Sequence, residues 1–125
     1  MRIRDVSRFA LLSSLIPAAS LAAVEQSPMP PRNVLLEKAV ELPSNKLQAR
    51  VVRVSFAKGF KTPLHTHEGP GPRYVVKGKV RVEEGGQINT YGPGEVFWES
   101  GQWMSVENVG DEEAVMIIFE LAKPN

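Results

Sequence analysis

The sequence predicts an all-β domain, built as a sandwich or barrel of short strands. From residue 47 onward, short runs rich in Val, Ile, Phe, Tyr and Trp recur along the 125-residue chain. Turn residues separate these runs at close spacing, and no helical period of apolar residues interrupts them. Eight or more strands are expected, a number typical of β-sandwiches and β-barrels.

Residues 1–22 are predicted to be a secretory signal peptide. Three arginines precede the apolar run FALLSSLIPAASLAA, and Ser20 and Ala22 suit the −3 and −1 positions of a cleavage site. The run is too short for a comfortable transmembrane helix, and Pro17 interrupts it. A retained N-terminal anchor is the alternative. The expected location is therefore periplasmic or secreted.

Composition excludes several partners and chemistries. The formal net charge is +1, and removal of residues 1–22 takes away three Arg and one Asp, which makes it −1. No block of like charges is present, so neither nucleic acid nor, after signal cleavage, a membrane is expected as a partner. The chain has no cysteine, so neither a disulfide nor a thiolate ligand is available.

Residues 23–46 are predicted to be a lead-in followed by an edge segment. The stretch VEQSPMPPR favours a flexible or polyproline-like chain. Residues 34–42, VLLEKAVEL, fit either a short helix or a strand before Pro43 breaks the pattern. A strand or edge segment is the preferred interpretation, because everything that follows is β.

Residues 47–121 are predicted to form the β domain, and residues 122–125 a loose tail. In residues 47–57, Val52, Val54 and Phe56 alternate with polar residues, as in a half-buried strand. The final strand is apolar at its centre, so both of its faces are expected to be covered. Residues 68–72, EGPGP, are predicted to be a loop. The other extended segments are expected at residues 62–67, 73–77, 79–83, 87–91, 95–99, 103–108 and 114–121.

Both histidines of the chain, His65 and His67, lie two residues apart. In an extended segment, side chains at i and i+2 point to the same face. Neutral imidazole is a good ligand for Zn, Cu, Fe and Ni. The pair therefore indicates half of a metal site.

Two stretches resemble the conserved motifs of the cupin superfamily. Gly59, five residues, the triplet HTH at 65–67 and then YVVKG at 74–78 resemble the first motif. Gly94-Glu95, Phe97, Gly101 and MSVEN at 104–108 resemble the second, more weakly. The resemblance implies a cupin-type double-stranded β-barrel, which is jelly-roll-like, over residues 47–121. It also implies a homodimer, and a metal held by His, His and Glu of the first motif and a His of the second.

Two of the four implied ligand positions are changed in this chain. His65 and His67 match the family's paired histidines, whereas Gly71 stands at the glutamate position and Met104 at the second-motif histidine. Met104 can offer a thioether as third ligand, and two His with one Met favour copper, above all Cu(I). A divalent or copper transition metal is the expected cofactor. The alternative is that Met104 only fills the barrel.

Arg73 suggests a different ligand. If Gly71 keeps the register of the family's glutamate, residue 73 points into the barrel, where a guanidinium favours an anion that carries a carboxylate or phosphate. The alternative is a rim Arg paired with Glu99 or Glu107. Glu68, adjacent to His67, and Glu99, near the second motif, are candidates for a substitute ligand or a general base. The aromatic residues predicted to wall a ligand pocket are Tyr74 and Trp98.

Two functions from different classes follow from these residues. The first is an exported cupin that binds a metal through the paired histidines, acting as a small-molecule enzyme of oxygenase or related type. The second is a metal-free cupin that binds a small anionic ligand without catalysis. The expected partner in both is a small molecule.

Overall fold

The computed structural model describes residues 11–17, 26–42, 44–67 and 69–124. The chain divides into two compact units, Met1–Pro31 and Arg32–Asn125. In the first unit, the described residues are exposed and form neither helix nor strand. Most of the predicted signal peptide, residues 1–10 and 18–22, lies outside the described residues. No described helix is long and apolar enough to cross a membrane.

The second unit contains seven β-strands. The first, β1, has an alternating burial pattern because every second side chain turns towards the core. Six shorter or equal strands follow it, separated by turns rich in Gly, as the sequence predicts. The strands are β1 (Gln48–Phe56), β2 (Gly71–Lys77), β3 (Val80–Glu84), β4 (Gln87–Tyr91), β5 (Val96–Glu99), β6 (Met104–Asn108) and β7 (Ala114–Ala122).

These strands form two antiparallel sheets. One sheet has the strand order β1-β7-β2-β5, and the other has the order β4-β3-β6. A segment before β2 extends the second sheet, because Lys61 and His65 form isolated bridges with Glu107 and Met104 on β6. The all-β, jelly-roll-like fold class predicted from the sequence is confirmed.

One apolar core lies between the two sheets. Both sheets contribute inward side chains to it, because alternate residues of each strand face the same way. Asn108 at the end of β6 ties this core to the connecting loops, since its amide nitrogen donates to the carbonyls of Phe56, Ala57 and Glu112. The buried residues of the core are Phe56, Val75, Val80, Val82, Phe97, Met104, Val106, Ala114, Met116 and Ile118.

Four sequence predictions differ from the structure. Residues 34–42 form neither helix nor strand, so the preferred strand interpretation is wrong, and the described part of the chain has seven strands instead of eight or more. β2 begins at Gly71, inside the predicted loop. The outer face of β7 is only partly covered, since Phe119 is 41% exposed. A local pattern cannot report which face a neighbouring segment covers.

Candidate functional site

His65 is held by β6 and by its own loop. Its backbone N–H and C=O exchange hydrogen bonds with Met104, at 2.9 and 2.8 Å. The ring nitrogen Nδ1 lies 2.7 Å from the carbonyl oxygen of Pro63. Because a carbonyl oxygen can only accept, Nδ1 carries the hydrogen. In the neutral ring, Nε2 therefore presents its lone pair.

His67 is oriented in the same way, by a carboxylate. Its Nδ1 lies 2.7 Å from Oε1 of Glu120, an inward-facing and buried residue of β7. An ionised carboxylate only accepts, so this contact also places the hydrogen on Nδ1. The Nε2 atom of His67 then faces the Nε2 atom of His65 at 3.2 Å.

A buried carboxylate completes this cluster of acceptors. Glu99 on β5 is 1% exposed, and its Oε2 lies 3.3 Å from Nε2 of His67. With both rings neutral, three lone pairs converge with no hydrogen between them. Either a proton on one Nε2 or a metal cation is needed to offset their mutual repulsion.

Arg73 holds Glu99 from a buried position on β2. The guanidinium is fully buried, and its Nη1 donates to the carbonyls of Gly71 (2.9 Å) and Phe119 (2.7 Å). Nη2 lies 2.8 Å from Oε2 of Glu99 and 3.8 Å from Oε1 of Glu120. The 2.8 Å contact is an ion pair, but its atoms are not aligned as in a hydrogen bond. Among the described residues, no hydrogen-bond partner is found for Nη2 and Nε of Arg73 or for either carboxylate oxygen of Glu99.

Gly71 leaves the space that this arrangement needs. It lies directly opposite Glu99 in the β2–β5 register. A Cβ atom at this position would overlap the carbonyl oxygen of Phe119 and approach Nη1 of Arg73 at 3.2 Å. Residue 71 itself has no carboxylate, but Glu99, across from it on the neighbouring strand, brings one beside His67.

Met104, Tyr74 and Trp98, which the sequence also nominated, lie in three different surroundings. Met104 lies opposite His65 in register, on the same face, and is 1% exposed within the apolar core. Tyr74 lines an outer, apolar pocket of about 370 Å³ together with Leu36 and Ile117. Trp98 lies opposite Pro72 and lines a different, polar pocket. The ligand-binding roles of Tyr74 and Trp98 stay predictions, and Glu68 lies outside the described residues.

Glu120 is the site residue that the sequence interpretation missed. Its signal was present, because it is the one charged residue in the apolar run AVMIIFEL. It occupies the inward register shared by Met116 and Ile118, and such a position is rarely charged without a partner. On β1, the half-exposed Arg50 lies opposite Glu120, and its Nε atom is 3.9 Å from Oε2 of Glu120.

No group of three or more His, Asp and Glu side chains within the described ranges is already arranged as a metal cage. The two imidazoles nevertheless have the orientation that metal ligands need. Each uses Nδ1 to donate to a protein acceptor, which fixes the ring and leaves Nε2 as the ligating atom. Glu99 lies beside them but is held by Arg73.

Solved structures with similar folds agree with this architecture. An RmlC-like cupin from Shewanella frigidimarina is 20% identical, with a TM-score of 0.53, and the match covers 62% of this chain and 68% of that chain. A predicted oxalate decarboxylase from Thermotoga maritima is 27% identical, with a TM-score of 0.51, covering 58% and 67%. A structure described in work on the mechanism of oxalate oxidase is 28% identical, with a TM-score of 0.54.

The extent of these matches differs. The match to the structure from the work on oxalate oxidase covers 62% of this chain but only 44% of that chain. No curated protein matches the chain significantly. The sequence profile of the cupin domain family matches residues 52–120, which are 69 of the 125 residues and include both histidines, Glu99 and Glu120. The chain therefore belongs to the cupin domain family.

Proposed function

We propose that this protein is a metal-binding cupin in which His65 and His67 hold a transition metal through their Nε2 atoms, with Glu99 as third ligand. One observation carries the proposal: three acceptor atoms converge while both Nδ1 atoms are already used as donors. A cation offsets the repulsion between these acceptors, and imidazole nitrogen with carboxylate oxygen is a common ligand set for Zn and Fe.

The charges favour a cation over an anion at this site. Glu99 and Glu120 are buried against one buried cation, Arg73, and Arg50 approaches Glu120 only from the half-exposed rim. The Arg73 guanidinium already faces two carbonyls and a carboxylate, so little of its charge remains for an anionic ligand. This arrangement supports the metal-binding interpretation over the metal-free, anion-binding one.

Met104 is the alternative third ligand. Its register with His65 allows its side chain to approach the histidines, whereas its burial in the apolar core suits a packing role. A thioether would favour copper, and a carboxylate would favour a harder divalent ion. The identity of the metal therefore distinguishes Glu99 from Met104.

A small organic acid is the proposed ligand of the metal-loaded protein. One structure, 27% identical, is described as a predicted oxalate decarboxylase, and another, 28% identical, is described in connection with oxalate oxidase. A bound divalent metal supplies a Lewis acid for a carboxylate oxygen. Glu120 would then orient the ring of His67, and His65, His67 and Glu99 would hold the metal. Export and a homodimer remain further proposals.

Metal analysis of the full chain, purified without chelator and then loaded with Mn, Fe, Co, Ni, Cu or Zn in turn, tests the proposal. We expect about one equivalent of one of these metals. H65A/H67A, which removes both imidazoles, should abolish metal binding. T66A, at the residue between the histidines, should bind the metal as the parent does. Less than about a tenth of an equivalent of every metal would contradict the proposal. Oxalate titrated into loaded and chelated protein then tests the ligand class.

A further inference from the structure

A second, polar pocket lies beside β4 and β5, each of which is at one edge of its sheet. Its volume is about 350 Å³, within the range of small-molecule sites. Among the described residues, its lining contains neither histidine and neither Glu99 nor Glu120. The pocket is therefore distinct from the proposed metal site and requires its own explanation.

Aromatic rings form part of the pocket lining. Tyr91 and Phe97 stack with their ring centroids 4.5 Å apart and their planes 17° apart. Phe97 belongs to the buried core, so this surface is held rigidly. Trp98, which is half-buried, adds an indole. Flat aromatic surfaces of this kind pack against the C–H-rich face of a ligand that also carries polar groups.

Amide side chains form much of the remainder. Gln87 and Asn89 project from the same face of β4, and Gln102 approaches from the turn before β6. Each amide offers two donors and an acceptor with two lone pairs. Groups of this kind match hydroxyls, which also donate and accept, better than they match a purely acidic or basic ligand.

The charged groups of the lining balance each other. Glu84 and Lys38 contribute one charge each, of opposite sign. The Oε1 atom of Glu84 accepts from the backbone N–H and the hydroxyl of Ser100, at 3.0 and 2.5 Å. These bonds fix the carboxylate without using Oε2, which can accept from a ligand hydroxyl. The pocket therefore suits a neutral ligand with many hydroxyls.

We propose that this pocket binds a neutral saccharide, with Trp98 and Tyr91 packed against the sugar ring and Asn89, Gln87 and Glu84 hydrogen-bonded to its hydroxyls. This proposal is independent of metal binding. It combines a pocket of adequate volume, a rigid aromatic wall, several neutral amides and one immobilised carboxylate.

Saturation-transfer NMR of the full chain with glucose, galactose, mannose and N-acetylglucosamine, each alone, tests the proposal. At least one sugar should receive saturation, and N89A should weaken its Kd about tenfold, the effect of one lost hydrogen bond. T90A, on the opposite face of β4, is the matched control and should bind as the parent does. H65A/H67A should also bind the sugar unchanged.

Tryptophan fluorescence supplies a second readout. Trp98 lines the pocket, whereas Trp103 is 63% exposed outside its lining. A bound sugar should change the emission of the parent and of W103F, and W98F should lose this change. Absence of saturation transfer to all four sugars, equal affinity of N89A and the parent, or a fluorescence change retained in W98F would each overturn the proposal.

Discussion

Glu99 on β5 lies directly opposite Gly71 on β2, a position at which an added Cβ atom would overlap the carbonyl oxygen of Phe119. The cupin motif places a glutamate at position 71. Here Arg73 passes beneath that position to donate to the Gly71 and Phe119 carbonyls, and its other terminal nitrogen pairs with Glu99. Four predictions follow from this arrangement and from the polar pocket.

Substitution of Gly71 should destabilise the fold. G71A adds a Cβ that overlaps the carbonyl oxygen of Phe119, so β2 and β7 must separate. We expect a loss of about 3 kcal/mol, the upper end of overpacking costs, measured by urea unfolding. G92A is the control, because a Cβ there meets only the end of the Glu95 side chain at 3.4 Å. Equal stability of G71A and the parent would show that the strands separate freely.

Removal of Arg73 should leave Glu99 buried without a counter-charge. R73A is expected to lose about 3–5 kcal/mol of unfolding free energy, because an uncompensated buried carboxylate is costly. R73M/E99Q should recover much of this loss, and comparison with R73M alone and E99Q alone completes the double-mutant cycle that gives the coupling energy. R81A, which breaks the exposed Arg81–Glu107 pair, should cost about 1 kcal/mol or less. A near-neutral R73A would instead favour a ligand-binding Arg73.

Three variants should rank the metal ligands. E120Q weakens the acceptor that orients His67, so metal affinity should fall by about 10–100-fold. E99Q removes a proposed ligand and should cost at least as much. M104L keeps the apolar volume and should leave affinity unchanged if Met104 only packs. Competition with a chromogenic chelator measures all three. A large loss in M104L alone would assign the third position to the thioether.

Alkaline pH should destabilise the protein through Tyr91. Burial, and then the negative charges of Glu95 and Glu84, raise the pKa of Tyr91 above its ordinary value of 10.0. The folded protein therefore keeps this proton to higher pH than the unfolded chain does. The contribution to stability is fully present below pH 10.0 and is lost as the pH rises towards the folded pKa.

Urea unfolding between pH 8 and 11 measures the effect. In Y91F, the free energy of unfolding should fall less steeply as the pH rises. In Y74F, where the substitution is on the outer face of β2, it should fall as in the parent. An identical pH dependence in Y91F and the parent would assign the loss to other groups.

Much of the fold could be predicted from local patterns. Alternation in residues 47–57 predicted β1, and turn residues such as Gly85-Gly86 and Pro93-Gly94 separated the strands that follow. The structure of residues 34–42 was harder to predict. An apolar segment forms a strand only if a neighbouring strand supplies backbone hydrogen-bond partners. Gly71 and Pro72 were assigned to a loop by composition, although pairing with β5 and β7 makes them a strand.

The sequence by itself determined the paired histidines, because they lie two residues apart in an extended segment. The resemblance to the cupin motifs then identified the changed ligand positions at Gly71 and Met104 and implied that Arg73 faces inward. Only the tertiary structure decided what surrounds them. Glu99 on β5 and Glu120 on β7 lie 32 and 53 residues beyond His67 in the sequence, and only the folding of the chain brings them to it. Strand pairing is a long-range contact, so a local pattern can indicate that a residue faces inward but not what it meets there.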